Sequence, residues 1–246
     1  MRQRHSKLSV AAFLAAAVVG LTSACATTLP GHAQPKAGLA VCDAVVMFVL
    51  DISLSMEATD VAPTRLAAAT AAAKDYAQRL PPRTQLGLIT FAGTASVQVR
   101  PSADRVAFAR AIDAVRLAER TATGEAIFSA LAAIDVLHTV APIEGPRRII
   151  LVSDGKQTVP ADLDDTRGAF TAAREAKRQY AGISAISLGT TSGVIEIPGA
   201  QGTDQVRVPT DEDSLREVGR LSGGDFHSAT TLAELTAALA GSTCAP

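Results

Sequence analysis

From Val45 onward, short aliphatic runs bounded by turn residues alternate with alanine-rich stretches of helical period. That alternation constrains the fold more than any other feature of the chain. Val45 to Leu50 reads as a buried strand. Pro63 to Leu80 reads as a helix, since Leu66, Ala69, Ala73, Tyr76 and Leu80 share a face and Pro81-Pro82 ends it. Gln85 to Phe91 and Ala95 to Arg100 are two strands joined by the turn Ala92-Gly93-Thr94, which pairs them antiparallel at a sheet edge. Asp104 to Ala118 and Gly124 to Val140 read as helices, Arg148 to Val152 as a strand, Thr166 to Tyr180 as a helix and Ile183 to Leu188 as a strand. A glycine-interrupted hairpin sets Val194 to Ile197 against Gln205 to Val208. Helices at Asp211 to Leu221 and Leu232 to Leu239 flank a short strand at Asp225 to His227. Such a chain forms a doubly wound, mostly parallel sheet with helices on both faces. Its 246 residues, 48% hydrophobic but 4% aromatic and without Trp, give one aliphatic core.

The front of the chain has a different character. Arg2, Arg4 and Lys7 precede the apolar run Leu8 to Leu21, which small residues follow, the pattern of a secretory signal. The run has 14 residues, short of the roughly 20 that cross a bilayer, so no transmembrane helix is expected after processing. Leu21-Thr22-Ser23-Ala24-Cys25 resembles a bacterial lipobox, whose cysteine becomes lipidated, with Thr22 where Leu is preferred. The competing reading is an A-x-A cleavage site at Ala24-Cys25-Ala26. Residues 1–25 are thus the signal and lipobox region, 26–40 a flexible tether and 41–246 the domain. An oxidising, exported setting permits a Cys42 to Cys244 disulfide, against the alternative of two free thiols. Closing so long a loop stabilises by at most about 5 kcal/mol. Beyond residue 36 the chain has 19 bases against 24 acids and no basic stripe, which speaks against nucleic acid as a partner.

Ligands of a doubly wound sheet bind beyond the carboxyl ends of its strands. The first strand ends in Asp51, Ser53 and Ser55, and Arg148 to Val152 is followed by Ser153-Asp154-Gly155. Between them, Arg120-Thr121-Ala122-Thr123-Gly124-Glu125 breaks one helical run and begins another. Any one segment reads as a helix cap or an ordinary loop. Together they bring two carboxylates and at least three hydroxyls to one rim, leaving caps, a catalytic aspartate and a metal site as competing readings. Hydroxyls of Ser53, Ser55 and Thr121, with Asp51 and Asp154 balancing charge, suit a hard divalent cation.

Asp51-x-Ser53-x-Ser55, Thr121 and Asp154 resemble the metal-ion-dependent adhesion site (MIDAS) of von Willebrand factor type A domains, over residues 42 to about 240. Met56 to Arg65, Thr121 to Ile127 and Leu221-Ser222-Gly223-Gly224 are especially similar to bacterial aerotolerance-type (Bat-like) members, including membrane-anchored actinobacterial ones. Those relatives usually carry transmembrane helices around the domain, where this chain shows a signal and its cysteine. The resemblance implies a six-stranded sheet with one antiparallel edge strand. It also implies a Mg²⁺ or Mn²⁺ ion held by Asp51, Ser53, Ser55, Thr121 and Asp154, completed by a Glu or Asp of a protein partner. A monomeric, lipid-anchored binding module on the outer face of the plasma membrane follows as the expectation.

Two other readings compete. A haloacid-dehalogenase-like phosphotransferase would use Asp51 as nucleophile, but that family repeats the carboxylate two residues on as a general acid, where this chain has Ser53. No Gly-x-x-x-x-Gly-Lys loop or Gly-x-Ser-x-Gly elbow is present, and His138 and His227 lack Cys or Glu at zinc-ligand spacing. A structural envelope domain with a degenerate site is the third reading.

Overall fold

The computed structural model of the protein describes residues 44–199 and 202–241. Cys25, Cys42 and Cys244 lie outside them, and with them the signal, tether, lipidation and disulfide expectations. Along the chain run β1 (Val45–Asp51), a single 3-10 turn (Leu54–Glu57), α1 (Arg65–Arg79), β2 (Gln85–Phe91), β3 (Ala95–Ser102), α2 (Arg105–Asp113) and α3 (Thr123–Val140). Then follow β4 (Arg147–Ser153), α4 (Ala169–Arg178), β5 (Ala181–Leu188), β6 (Val194–Gly199), β7 (Gly202–Arg207), α5 (Glu212–Ser222), β8 (Asp225–Ala229) and α6 (Leu232–Gly241).

Six strands form one sheet in the order β3-β2-β1-β4-β5-β8, parallel except for the antiparallel edge strand β3. β6 and β7 pair separately as the expected hairpin, with Ile195 opposite Val206 and Ile197 opposite Asp204. β1 sits in the middle of the sheet and is buried along its whole length. Alternate side chains of a strand face opposite ways, so β1 serves two cores. Val46, Phe48 and Leu50 pack under α1, α2 and α6 with Tyr76, Phe108 and Leu235, whereas Val45, Met47 and Val49 pack under α3, α4 and α5 with Ile127, Leu131 and Leu215. Helix α3 is long and apolar enough to cross a bilayer by composition, yet Ile127, Leu131 and Ile134 bury one side of it in the second core.

From β1 the chain winds through α1 to β2 on one side, then through α2 and α3 to β4 on the other. The winding therefore reverses between β1 and β4, which opens a crevice beyond the carboxyl ends of these two strands. Asp51 and Asp154 stand at that crevice.

Helix ends differ from the sequence expectation by up to five residues, and three of the differences have a cause in the hydrogen bonding. α2 stops at Asp113 instead of Ala118, because the amide of Ala118 donates to Ile52 O at 2.8 Å and Ala118 bridges Ser53 in parallel pairing. α4 starts at Ala169 instead of Thr166, since Asp162 and Asp165 take the amides of Asp164 and Arg167 into local turns that compete with helix. α1 starts at Arg65, two residues late, with Thr64 accepting the Ala67 amide as its cap.

Gly124, in the first turn of α3, has no room for a side chain: a Cβ there would stand 2.0 Å from Arg167 O and 2.6 Å from the carbonyl carbon of Gly168. Gly124→Ala is accordingly expected to destabilise the domain by about 3 kcal/mol, the upper part of the range for overpacking. A urea midpoint lowered at unchanged slope checks it.

Candidate metal centre

Asp51 ends β1 fully buried, and both of its oxygens are engaged by the chain. Oδ1 accepts the Ser53 amide at 2.8 Å, and Oδ2 accepts the Ser153 hydroxyl at 2.6 Å. Ser153 in turn accepts the Gly155 amide at 2.9 Å, so the carboxylate is oriented through a residue at the end of β4. After Asp51 the chain turns tightly, Met56 donating to Ser53 O and Ala58 to Ser55 O. The turn sets the Ser53 and Ser55 hydroxyl oxygens 3.0 Å apart. Ser53 occupies the cap position of this turn but makes no capping hydrogen bond with its side chain, and α3 is led by Ala122 without a side-chain cap. Capping therefore does not account for Ser53 or Thr121.

Asp154 follows β4, 2% exposed, and accepts Arg65 Nη1 at 3.1 Å on Oδ2 and the Lys156 amide at 3.4 Å on Oδ1; Ser55 also hydrogen-bonds its carboxylate. Asp51, Ser53, Ser55 and Asp154 thus form one connected cluster. Thr121 is buried on the same rim: its carbonyl accepts the Thr158 and Val159 amides, and the next amide, that of Ala122, reaches Ala92 O beyond β2.

Arg65 and Asp60 belong to the cluster and were not singled out from sequence. Arg65 is fully buried and grips Asp60 with Nε and Nη2 at 2.8 and 2.7 Å, Asp154 with Nη1, and the Val208 carbonyl at 3.0 Å. Asp60 also accepts the Thr190 amide and hydroxyl, at 2.7 and 2.8 Å. The stripe Arg65, Ala68, Ala69, Ala72 was the available signal, for it puts a cation on the buried face of an alanine-rich helix.

Charge in this cluster does not balance. Arg65 is the one buried cation among the described residues; it pairs with Asp60 and Asp154, and Asp51, the third carboxylate of the cluster, has no cation of its own. A deficit of two positive charges remains, which is the charge of one divalent ion. The carboxyl groups register it: burial, and then the like charge of Asp154, push Asp51 from 3.8 up to about 7, against the pull of its hydrogen bonds from Ser153 and Ser53. Burial likewise raises Asp154, although Ser55 and Arg65 draw it down. At Asp60 burial pushes upward too, but hydrogen bonds from Arg65 and Thr190 outweigh it and hold the group below the usual range. No group of three His, Cys, Asp or Glu that could hold a metal occurs among the described residues. Two carboxylates among hydroxyls are instead a hard, oxygen-only donor set, and it fits a hard cation.

Residues 46–157 match a family model described as the von Willebrand factor type A domain. Over those residues the chain carries a von Willebrand factor type A domain. A UPF0353 protein of Nocardia farcinica is 52% identical over 202 residues, covering 79% of this chain and 60% of the relative. The chain thus spans about three fifths of the length of the curated relatives it matches. Among solved structures, an aerotolerance-related membrane protein from Bacteroides fragilis shares the type A fold at a TM-score of 0.68 and 23% identity, over 80% of this chain and 97% of that one. Proximal thread matrix protein 1 of the mussel byssus, with a zinc-occupied MIDAS motif, matches at 0.57 and 19% identity, over 82% of this chain and 46% of that one.

The type A frame also bears on the phosphotransferase alternative. In the haloacid dehalogenase pattern the second carboxylate would stand at Ser53, and neither Asp51 oxygen is left without a donor from the chain. Asp162, Asp164 and Asp165, which could imitate a late acidic motif, are exposed and occupied with turns and with the Arg174 ion pair.

Proposed function

We propose that this type A domain is a divalent-metal-dependent protein-binding module of the cell envelope, its ion held by Asp51, Ser53, Ser55, Thr121 and Asp154. The observation that carries the reading is the two-charge deficit at a buried, hydroxyl-lined rim. Mg²⁺ suits such donors, and Mn²⁺ shares the preference. The zinc-occupied motif of the mussel protein, on the same fold, supports a metal at this rim. Ser153 and the Ser53 amide hold Asp51 in place, Arg65 and Ser55 orient Asp154, and the turn after β1 presents the two serine hydroxyls. When bound, the ion supplies an open electrophilic position for a Glu or Asp of the partner protein.

The basic and then apolar N-terminal pattern and the membrane-protein neighbour support export to the envelope, with Cys25 as the lipid anchor and a monomeric domain outside the plasma membrane. Titration of the metal-free domain with Mg²⁺ or Mn²⁺ is expected to give binding heat at one ion per chain. At a hundredfold excess over Kd it should raise Tm by about 5–10 °C, from about 2.7 kcal/mol of linkage. Neither heat nor shift would overturn the metal reading, and turnover of a generic phosphoester would favour phosphotransfer. Pull-down from envelope extract, with and without chelator, then identifies the acidic partner.

A further inference from the structure

Beside the metal rim lies a cavity of about 460 Å³, within the usual size of ligand sites, whose wall includes Ile52, Thr90, Gly93, Gln98, Glu119 and Arg120. It adjoins the rim through the chain itself. Ala118 bridges Ser53, and Arg120 directly precedes Thr121.

Arg120 is the unusual residue of this wall. Its φ is +69°, a conformation that a long side chain adopts only at a cost. The other non-glycine residue with positive φ among those described, Tyr180, comes two residues after α4, where helices commonly end in this way. Arg120 ends no helix. Its backbone is instead pinned on both sides, by the amide of Gly93 on Glu119 O at 2.8 Å and that of Ala122 on Ala92 O at 2.6 Å. Gly93 makes the arrangement possible: a Cβ there would lie 3.4 Å from Arg120 Cβ and 3.6 Å from its Cδ, so the arginine side chain crosses the space that the glycine leaves. The guanidinium forms no ion pair among the described residues, and Arg120 is exposed. Elsewhere in the lining, Gln98 Nε2 donates to the hydroxyl of buried Thr90 at 2.9 Å, which gives the cavity a fixed polar edge.

We infer that this cavity is a second recognition pocket of the binding face, in which Arg120 takes a carboxylate of the partner next to the one that completes the metal. The proposal rests on the metal reading above. It makes the preferred partner segment a pair of neighbouring acidic residues, one for the ion and one for the arginine. A guanidinium matches a carboxylate with two parallel hydrogen bonds, which lysine cannot reproduce. The pinned backbone fixes the point and direction from which the side chain leaves before the partner arrives.

Blocked tetrapeptides Gly-Asp-X-Gly, with X aspartate, serine or lysine, test it on the Mg²⁺-loaded domain by NMR titration. The aspartate peptide is expected to bind about five- to tenfold tighter than the serine peptide, with lysine weakest. In Arg120→Asn the advantage of aspartate over serine should vanish while Mg²⁺ uptake stays as in the parent. Asparagine tolerates positive φ, so this variant is also expected to melt at or above the parent temperature in chelator. A fall in Tm with the preference retained would make Arg120 a structural residue and overturn the proposal. A domain that takes up no Mg²⁺ overturns the metal reading, and the pocket with it. A domain that takes up Mg²⁺ yet binds the three peptides alike, or not at all, overturns the pocket alone.

Discussion

Arg65→Met leaves the metal-free domain about 3–5 kcal/mol less stable, the usual cost of removing one partner from a buried ion pair. The methionine fills much of the same space, so the loss is electrostatic. Asp154 and Asp60 lose the cation that faces them at 3.1 and 2.7 Å, and the Val208 carbonyl loses its donor at the root of the hairpin. Arg65→Lys keeps the charge but cannot reach Asp60 twice, Asp154 and Val208 together, and it should fall between the two. Coupling gives a sharper reading. Asp154→Asn in the Arg65→Met background should cost less than in the parent, because the charge left behind by the first change is gone. Urea midpoints in chelator at pH 7.5 compare the parent with the four variants. A loss below about 1 kcal/mol for Arg65→Met would mean that these carboxylates are solvated and that the charge deficit is not real.

Period and turn chemistry made the architecture legible, because the inner strands of the sheet are short aliphatic runs and most of the covering helices are alanine-rich. Asp51, Ser53, Ser55 and Asp154 were legible for a related reason: polar residues at the carboxyl ends of buried strands have few places to go in a doubly wound sheet. What local pattern could not show is pairing over distance. Arg65 reads as the exposed start of a helix until its partners are known, and Asp154 and Val208 lie 89 and 143 residues further on. Its burial rotates α1, so that Arg65, Ala68, Ala69 and Ala72 face the core and Leu66, expected there, is half buried. The end of α2 was hidden in the same way, since Ala118 leaves helix to pair with a strand end more than sixty residues earlier.

The second large effect is in pH. In the metal-free domain Asp51 holds its proton to about pH 7, whereas in the unfolded chain it releases it near 3.8. Between these values the native state binds more protons than the unfolded one, so stability falls as pH rises. The stabilisation from the protonated carboxyl is complete below about pH 4 and lost through pH 7. At about 1.4 kcal/mol per unit the swing is about 4 kcal/mol. Asp154, raised by burial as well, titrates with Asp51 as a pair, so the transition belongs to both. At the proposed metal site, ion and proton would compete for the same oxygens. Apparent Mg²⁺ affinity should therefore rise about tenfold per pH unit from pH 5 to 7 and level off above. Asp51→Asn separates the two effects. Its amide oxygen still accepts the Ser53 amide, and its NH₂ can donate to the Ser153 hydroxyl once that group turns its own proton away. The variant should thus fold, lose most of the slope between pH 4 and 7, exceed the metal-free parent in stability at pH 8, and gain nothing from Mg²⁺. Calorimetry from pH 5 to 8 with melting curves in chelator checks each step. Metal affinity that is flat across this window, or a full Mg²⁺ shift in Asp51→Asn, would remove Asp51 from the metal centre.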